Sequence, residues 1–208
     1  MNNLDVLVLI GLIITNAVLF IEIIYFIIRR NTSNKLIRAA FEKNENKFNE
    51  ISNSFSGKFI NVFDKELIKF NVATIQKNNR DIETSIKKFD NMNLSKSQIK
   101  KIYPKIFYYY IDSNNKQEAK KYYEGLSDIN VYKEKNNIEM MYDTYILGSH
   151  KHLDESLKKL NKVKKEELPT LEKTISKMYE NKKINSEAKK YERLAQRHLT
   201  ELELSKRR

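Results

Sequence analysis

Between Val6 and Ile28 the chain reads VLVLIGLIITNAVLFIEIIYFII, 23 residues with a single formal charge at Glu22. Arg29 and Arg30 end the run abruptly. A bilayer-spanning helix needs roughly 20 apolar residues, and no other stretch of the chain comes close. A cleaved signal peptide would carry a basic leader, a shorter apolar core and a small-residue cleavage site. Met1 to Asp5 holds no Lys or Arg, the core is too long, and no A-x-A pattern closes it. The run therefore predicts an uncleaved, single-pass anchor over residues 1–30. Basic residues near the ends of a span stay on the cytoplasmic side. Arg29, Arg30, Lys35 and Arg38 come after the run and none precedes it. The expected topology places the N-terminus outside and the remainder in the cytoplasm, at the cell membrane.

The remainder is basic. Lys+Arg minus Asp+Glu is 39 − 27 = +12, and the first 28 residues contribute only Asp5 and Glu22, which leaves +14 beyond them. Such a charge beside a bilayer favours an anionic leaflet or an acidic partner, and it also simply keeps a helical surface soluble. The chain has no Cys, so disulfides, thiolate metal sites and thiol nucleophiles are excluded. Only 4 Gly and 2 Pro break it, which argues against an all-β fold. The abundance of Asn, Lys and Ile suggests an AT-rich, bacterial genome.

Inside the apolar run, Gly11, Thr15, Val18 and Glu22 share one helical face. Small residues four apart let transmembrane helices approach closely, and an intramembrane carboxyl often finds a partner. Gly11, Thr15 and Glu22 are the expected seam of a homodimer. Residues 31–64 read as a juxtamembrane helix or stalk. Asn31 to Asn34 looks like a turn or cap cluster. Ile37, Phe41, Phe48, Ile51, Phe55, Phe59 and Val62 then recur at helical spacing, with Gly57 expected to end a first helix. Two heptads are too few for a coiled coil, so the phenylalanines are expected to pack onto the domain that begins near Lys65.

Residues 65–208 read as helical hairpins separated by polar turns at Asn78-Asn79, Asn91–Asn93, Ser113–Asn115, Ser127–Asn130, Gly148-Ser149 and Asn181–Lys183. Asn136 with Glu139 resembles a capping box, and Pro169 suits a first helical turn. Pro104 predicts a kink or a helix start. The string Glu118-Ala-Lys-Lys-Tyr-Tyr123 returns as Glu187-Ala-Lys-Lys-Tyr-Glu192, 69 residues later. Leu153, Leu157 and Leu160 lie between, 34 residues after Ala119, Tyr123 and Leu126. Tyr110, Tyr145 and Tyr179 are spaced 35 and 34, and Ile82, Ile86 and Phe89 form an earlier, degenerate copy.

A period near 34 with two helices per period resembles the tetratricopeptide-repeat family. Ala119 and Ala188 match its small second-helix residue, Tyr123 and Leu157 the large residue four later, and Tyr110, Tyr145 and Tyr179 a first-helix tyrosine. The chain has no Trp, Ile106-Phe107 and Met140-Met141 stand where the family has Leu-Gly, and Glu192 replaces an aromatic, so the likeness is a degenerate one. It implies an all-α fold: a transmembrane helix and then an α-solenoid whose first helices line a concave, peptide-binding groove. By the repeat offsets Tyr108, Tyr142 and Lys177 take equivalent places, as do Lys101 and Lys135, with Lys105 and Lys173 on the same helices. These seven residues are the expected partner-binding set, suited to an acidic or C-terminal peptide.

No sequence motif points to catalysis. Ser56-Gly57-Lys58 lacks the rest of a phosphate loop, and no metalloprotease, nucleophile-elbow or dinucleotide fingerprint occurs. His150-Lys-His152 beside Asp154 lacks further ligands and reads as a solvated turn. The expectation is a non-enzyme without cofactor: an adaptor or scaffold for a protein or peptide. The alternatives are a structural protein that self-associates through anchor and stalk, and a membrane-localised nucleic-acid binder using Tyr108-Tyr109-Tyr110 with Lys100, Lys101 and Lys105. The core stripe Ile99, Ile102, Tyr103, Ile106 and Tyr110 weighs against the last of these.

Overall fold

The computed structural model describes residues 3–127, 129 and 135–206. Among them the chain is all helical, without a strand. It divides into two compact units, Met1–Leu94 and Ser95–Arg208.

In the first unit α1 (Asn3–Phe41) runs unbroken for 39 residues. The polar cluster after Arg30, expected as a turn, does not interrupt it. Thr32 is buried, and its hydroxyl donates to the Ile28 carbonyl at 2.8 Å, so its polar atom is satisfied inside the helix. No break separates residues 30 and 31. The helix ends at Phe41, and Lys43 in the turn after it has φ +52°. Asn44 caps α2 (Glu45–Asn53) by accepting from the Lys47 amide. A 3₁₀ turn (Ser56–Phe59), α3 (Val62–Ile75) and α4 (Asn79–Asp90) come next. The first helical break thus lies at Lys43 and not at Gly57. The face of α1 that packs is also not the expected one: Ile37 and Phe41 are exposed, while Leu36 and Ala39 join Phe48 and Ile60 in the core. Phe55 and Val62 are exposed as well. Ile68 of α3 lies against this core, and a second group of rings, Phe63, Phe70 and Phe89, joins α3 to α4.

The second unit contains α5 (Lys96–Asp112), α6 (Lys116–Ser127), α7 (Lys135–Met141), a π turn (Tyr142–Ile146), α8 (Leu153–Lys159), α9 (Leu168–Asn181) and α10 (Asn185–Lys206). Ser95 and Gln98 form a capping box at the start of α5. Pro104, expected at a kink or a start, is buried within α5, which continues on both sides of it. Pro169 occupies the first turn of α9. Asn136 does not open a helix: α7 already includes Lys135. The predicted turn at Ser127–Asn130 falls partly outside the described residues, as does the end of the basic tail, Arg207-Arg208. Helix α5 packs on α6 through Ile102, Ile106, Phe107, Tyr110, Ala119, Tyr122 and Leu126, all buried. Leu153, Leu171, Ile175 and Met178 form the core beneath α8 and α9.

One local geometry recurs. The described residues with positive φ are Lys43, Lys77, Asn114, Gly148 and Lys183, at intervals of 34, 37, 34 and 35 residues by subtraction. At Lys43, Lys77, Asn114 and Lys183 the next amide donates to the carbonyl five residues back: Asn44 to Ala39, Asn78 to Ala73, Asn115 to Tyr110 and Ile184 to Tyr179. This 6→1 bond is that of a left-handed helix C-cap, which satisfies otherwise orphaned carbonyls. Five residues after each positive-φ position comes a buried apolar side chain: Phe48, Ile82, Ala119, Leu153 and Ala188. Gly148 differs in one respect. The Ser149 amide reaches back six residues, to Asp143, because the π turn adds a residue to the helix end. Counted back from the turn, the expected tyrosine register is also off by one. Thr144, and not Tyr145, lies four before the turn, in the place held by Tyr110 and Tyr179.

Candidate interaction surface

The predicted partner-binding residues lie in the second unit and divide by what their side chains already touch. Lys101 and Lys105 are exposed, one helical turn apart on α5, with Tyr108 half-buried just beyond them. Neither lysine has an ion-pair partner among the described residues. They form a basic ridge on the exposed side of α5, about 100° around the helix from Ile102 and Ile106, which are fully buried. The other predicted lysines are paired. Lys135 lies 3.9 Å from Glu139, Lys173 lies 3.4 Å from Asp112, and Lys177 lies 2.7 Å from Glu180. Exposed pairs of this kind are each worth under about 1 kcal/mol, so a partner carboxylate can displace them at small cost.

Tyr142 does not stand alone. Its ring stacks on Tyr123 of α6 at 3.7 Å and 8°. Tyr123 in turn lies 6.2 Å from Phe107, and Phe107 lies 5.6 Å from Tyr108. The rings thus form a series from Tyr108 to Tyr142 across α5, α6 and the π turn. Burial first, and then the nearby carboxylates Glu139 and Asp143, raise the Tyr123 phenol above its ordinary value, so the ring of Tyr123 that joins the series is neutral at physiological pH. Tyr145 is more deeply buried and is pushed up to about 12.

Of the expected seam residues, Gly11 lies in α1, and Thr15 and Glu22 are exposed on it. His150 and His152 do not form a metal site with Asp154; among the described residues no cluster of three such ligands occurs. His152 and Lys151 both lie 2.7 Å from one oxygen of Asp143.

Two buried glutamates had no sequence signal of their own. Glu66 accepts from Ser85 at 2.7 Å and from Lys88 at 3.1 Å. Glu172 shares a 2.8 Å hydrogen bond with His198. Each sits eleven residues before a positive-φ residue, Lys77 and Lys183, a place that Tyr103 and the exposed Asn137 take in other hairpins. Glu66 also lines a cavity of about 280 Å³ in the first unit, with Lys43, Glu45, Phe48, Lys69 and Lys88. Lys88 pairs with Glu66, and Lys69 lies over the Phe48 ring and 3.8 Å from Glu45.

Helix α1 is the one described helix long and apolar enough to cross a membrane. Comparison with protein-family models, curated proteins and solved structures finds no match for the chain.

Proposed function

We propose that this is a single-pass membrane protein whose helical hairpins, tetratricopeptide-like units of an α-solenoid, act as an adaptor or scaffold for an acidic protein or peptide at the cytoplasmic face. The observation that carries the reading is α1. Every side chain from Leu12 to Ile27 is exposed, among them Leu19, Phe20, Ile21 and Phe26. An apolar surface of that extent in water would drive association, whereas hydrocarbon is its natural solvent. Arg29, Arg30, Lys35 and Arg38 favour a cytoplasmic location for the hairpins. The recurrence of one turn every 34–37 residues supports repeats of the tetratricopeptide kind. The ridge of Lys101, Lys105 and Tyr108 supports an acidic partner, steered by charge and anchored by an aromatic ring.

Protease added to intact cells should leave residues 31–208 whole and digest them only after permeabilisation; cleavage without permeabilisation would reverse the orientation. Crosslinking from native membranes should capture a protein, and Lys101→Glu with Lys105→Glu should reduce its yield. Undiminished capture would move the binding surface off α5. A structural role through self-association draws on Thr15 and Glu22, which α1 leaves exposed on the Gly11 face. Thr15→Leu should lower the crosslinked dimer fraction if that reading holds.

A further inference from the structure

The segment between α2 and α3 folds back along α1, past the arginines that end the apolar run. The Phe59 ring meets Tyr25 edge-on at 5.5 Å. Tyr25 lies four residues before Arg29, which at 1.5 Å per residue is about 6 Å further along the helix toward its apolar half. Arg29 is held at the other side of this contact by Asp64 of α3, at 2.7 Å. Phe55 meets Phe59 edge-on at 5.4 Å and is itself 76% exposed. Val62, at the start of α3, is 70% exposed. Lys58 between them is exposed and has no ion-pair partner among the described residues.

This exposure is built into the backbone. The Ser54 hydroxyl donates to the Ile51 carbonyl at 2.7 Å and accepts from the Gly57 amide at 3.1 Å. Gly57 is buried, and a Cβ there would strike the Ile51 carbonyl. Lys65 donates to the Ser52 carbonyl at 2.8 Å from the other side. The turn is braced at three points, yet it holds a phenylalanine outward. In water that arrangement leaves the burial of a whole aromatic side chain unrealised.

We infer that Phe55, Phe59 and Val62 are a second membrane contact, an apolar wedge that enters the headgroup–acyl boundary of the same bilayer that α1 crosses. The inference rests on the anchor reading and adds to it a site on the folded part of the chain. Its continuity with α1 fixes the occupant: a ring in contact with Tyr25 lies at the depth of Tyr25. About 6 Å below the arginines is within the 5–10 Å depth to which interfacial segments sink, and aromatic residues favour that layer. Lys58 would then face anionic headgroups beside Arg29 and Arg30.

The chain contains no tryptophan, so a single introduced one reports alone. The full chain would be reconstituted in phosphatidylcholine–phosphatidylglycerol vesicles as Phe20→Trp or as Phe55→Trp, with lipids brominated near the carbonyl end or near the methyl end of the acyl chain. Phe20 lies about 14 Å from Arg29 along α1, close to the middle of a 30 Å hydrocarbon core, and its tryptophan should be quenched most by the deep bromines. Phe55→Trp should show blue-shifted emission and the opposite order, quenched most by the shallow bromines. If Phe20→Trp is quenched while Phe55→Trp emits as in water, the anchor stands and the wedge is wrong. Blue-shifted but unquenched emission from Phe55→Trp means that protein, for example a second copy, covers the site, and it also overturns the inference. If Phe20→Trp is itself unquenched, the anchor fails and the wedge falls with it.

Discussion

The α5–α6 and α9–α10 hairpins share a turn, an alanine and a pair of stacked rings, yet they are filled differently. Tyr110 stacks on Tyr122 at 5.7 Å and 20°, and Tyr179 stacks on Tyr191 at 5.6 Å and 14°. Each pair is offset by 69 residues from the other, as are Ala119 and Ala188, both buried. Around this common frame the chemistry diverges. Where the first hairpin has Phe107, fully buried, the second has Ser176, whose hydroxyl donates to the Ala188 carbonyl at 2.8 Å. Where the first has Tyr103, the second has Glu172, buried against His198. The middle hairpin goes further, with Thr144 and Ser156 in the places of the rings, both buried. What a hairpin requires is therefore the turn and a small or apolar contact behind it. The remaining buried places accept polar groups: Ser176 and Ser156 find partners in the Ala188 carbonyl and the Met140 sulfur, whereas the Thr144 hydroxyl finds none among the described residues.

This contrast can be broken most strongly at the ring pairs. Tyr122 is 1% exposed, whereas Tyr191 is half-buried. Tyr122→Ala should cost about 3–5 kcal/mol, the usual range for a buried aromatic, and Tyr191→Ala should cost clearly less. Denaturant melts of the full chain in detergent measure both. Equal losses would mean that the two stacks carry equal weight despite their different exposure.

A smaller effect separates the turns. Gly148 sits at φ +66° with open space where a Cβ would go. Gly148→Ala should cost about 1 kcal/mol, through left-handed backbone strain alone. Lys183→Gly, at the equivalent place, should change the melt by under about 0.5 kcal/mol, because relief of strain is offset by a freer unfolded chain. A large loss on Lys183→Gly would show that this lysine holds its turn by its side chain.

The smallest effect is the pH dependence of the middle hairpin. Burial raises the Asp143 carboxyl, but hydrogen bonds from Lys151 and His152 outweigh it and hold the group below its ordinary value of 3.8. Its contribution is complete above pH 3.8 and is lost as pH falls through the lower, folded value. Lys151→Ala with His152→Ala should flatten that acid limb of the stability curve. An unchanged limb would assign it to other carboxylates.

The repeat was legible where two copies kept the same string, Glu118 to Tyr122 and Glu187 to Tyr191. It was illegible at Lys43, because lysine is not a turn residue and the left-handed conformation there is held by backbone bonds. Asn31 to Asn34 has the composition of a turn, but Thr32 bonds back to its own helix and the local signal loses to the packing of Leu36 and Ala39. Tyr145 was misaligned by one, since a tyrosine three residues before Gly148 mimics the tyrosines four residues before Asn114 and Lys183. On the candidate surface, spacing found Lys101, Lys105 and Tyr108 on one face of α5. The stack of Tyr142 on Tyr123 depends on how α6 meets the π turn, which no local pattern encodes.

Helix α1 carries Leu12 to Ile27 and also Thr32, Leu36 and Ala39, with no joint between them. The direction in which the first hairpin faces is therefore counted out in residues. Removing one residue between Arg30 and Thr32 would swing that hairpin about 100° around the helix axis and draw it in by about 1.5 Å. The bearing of Phe55 relative to the apolar half of α1 is set in the same way, as a compass heading written in the length of a single helix.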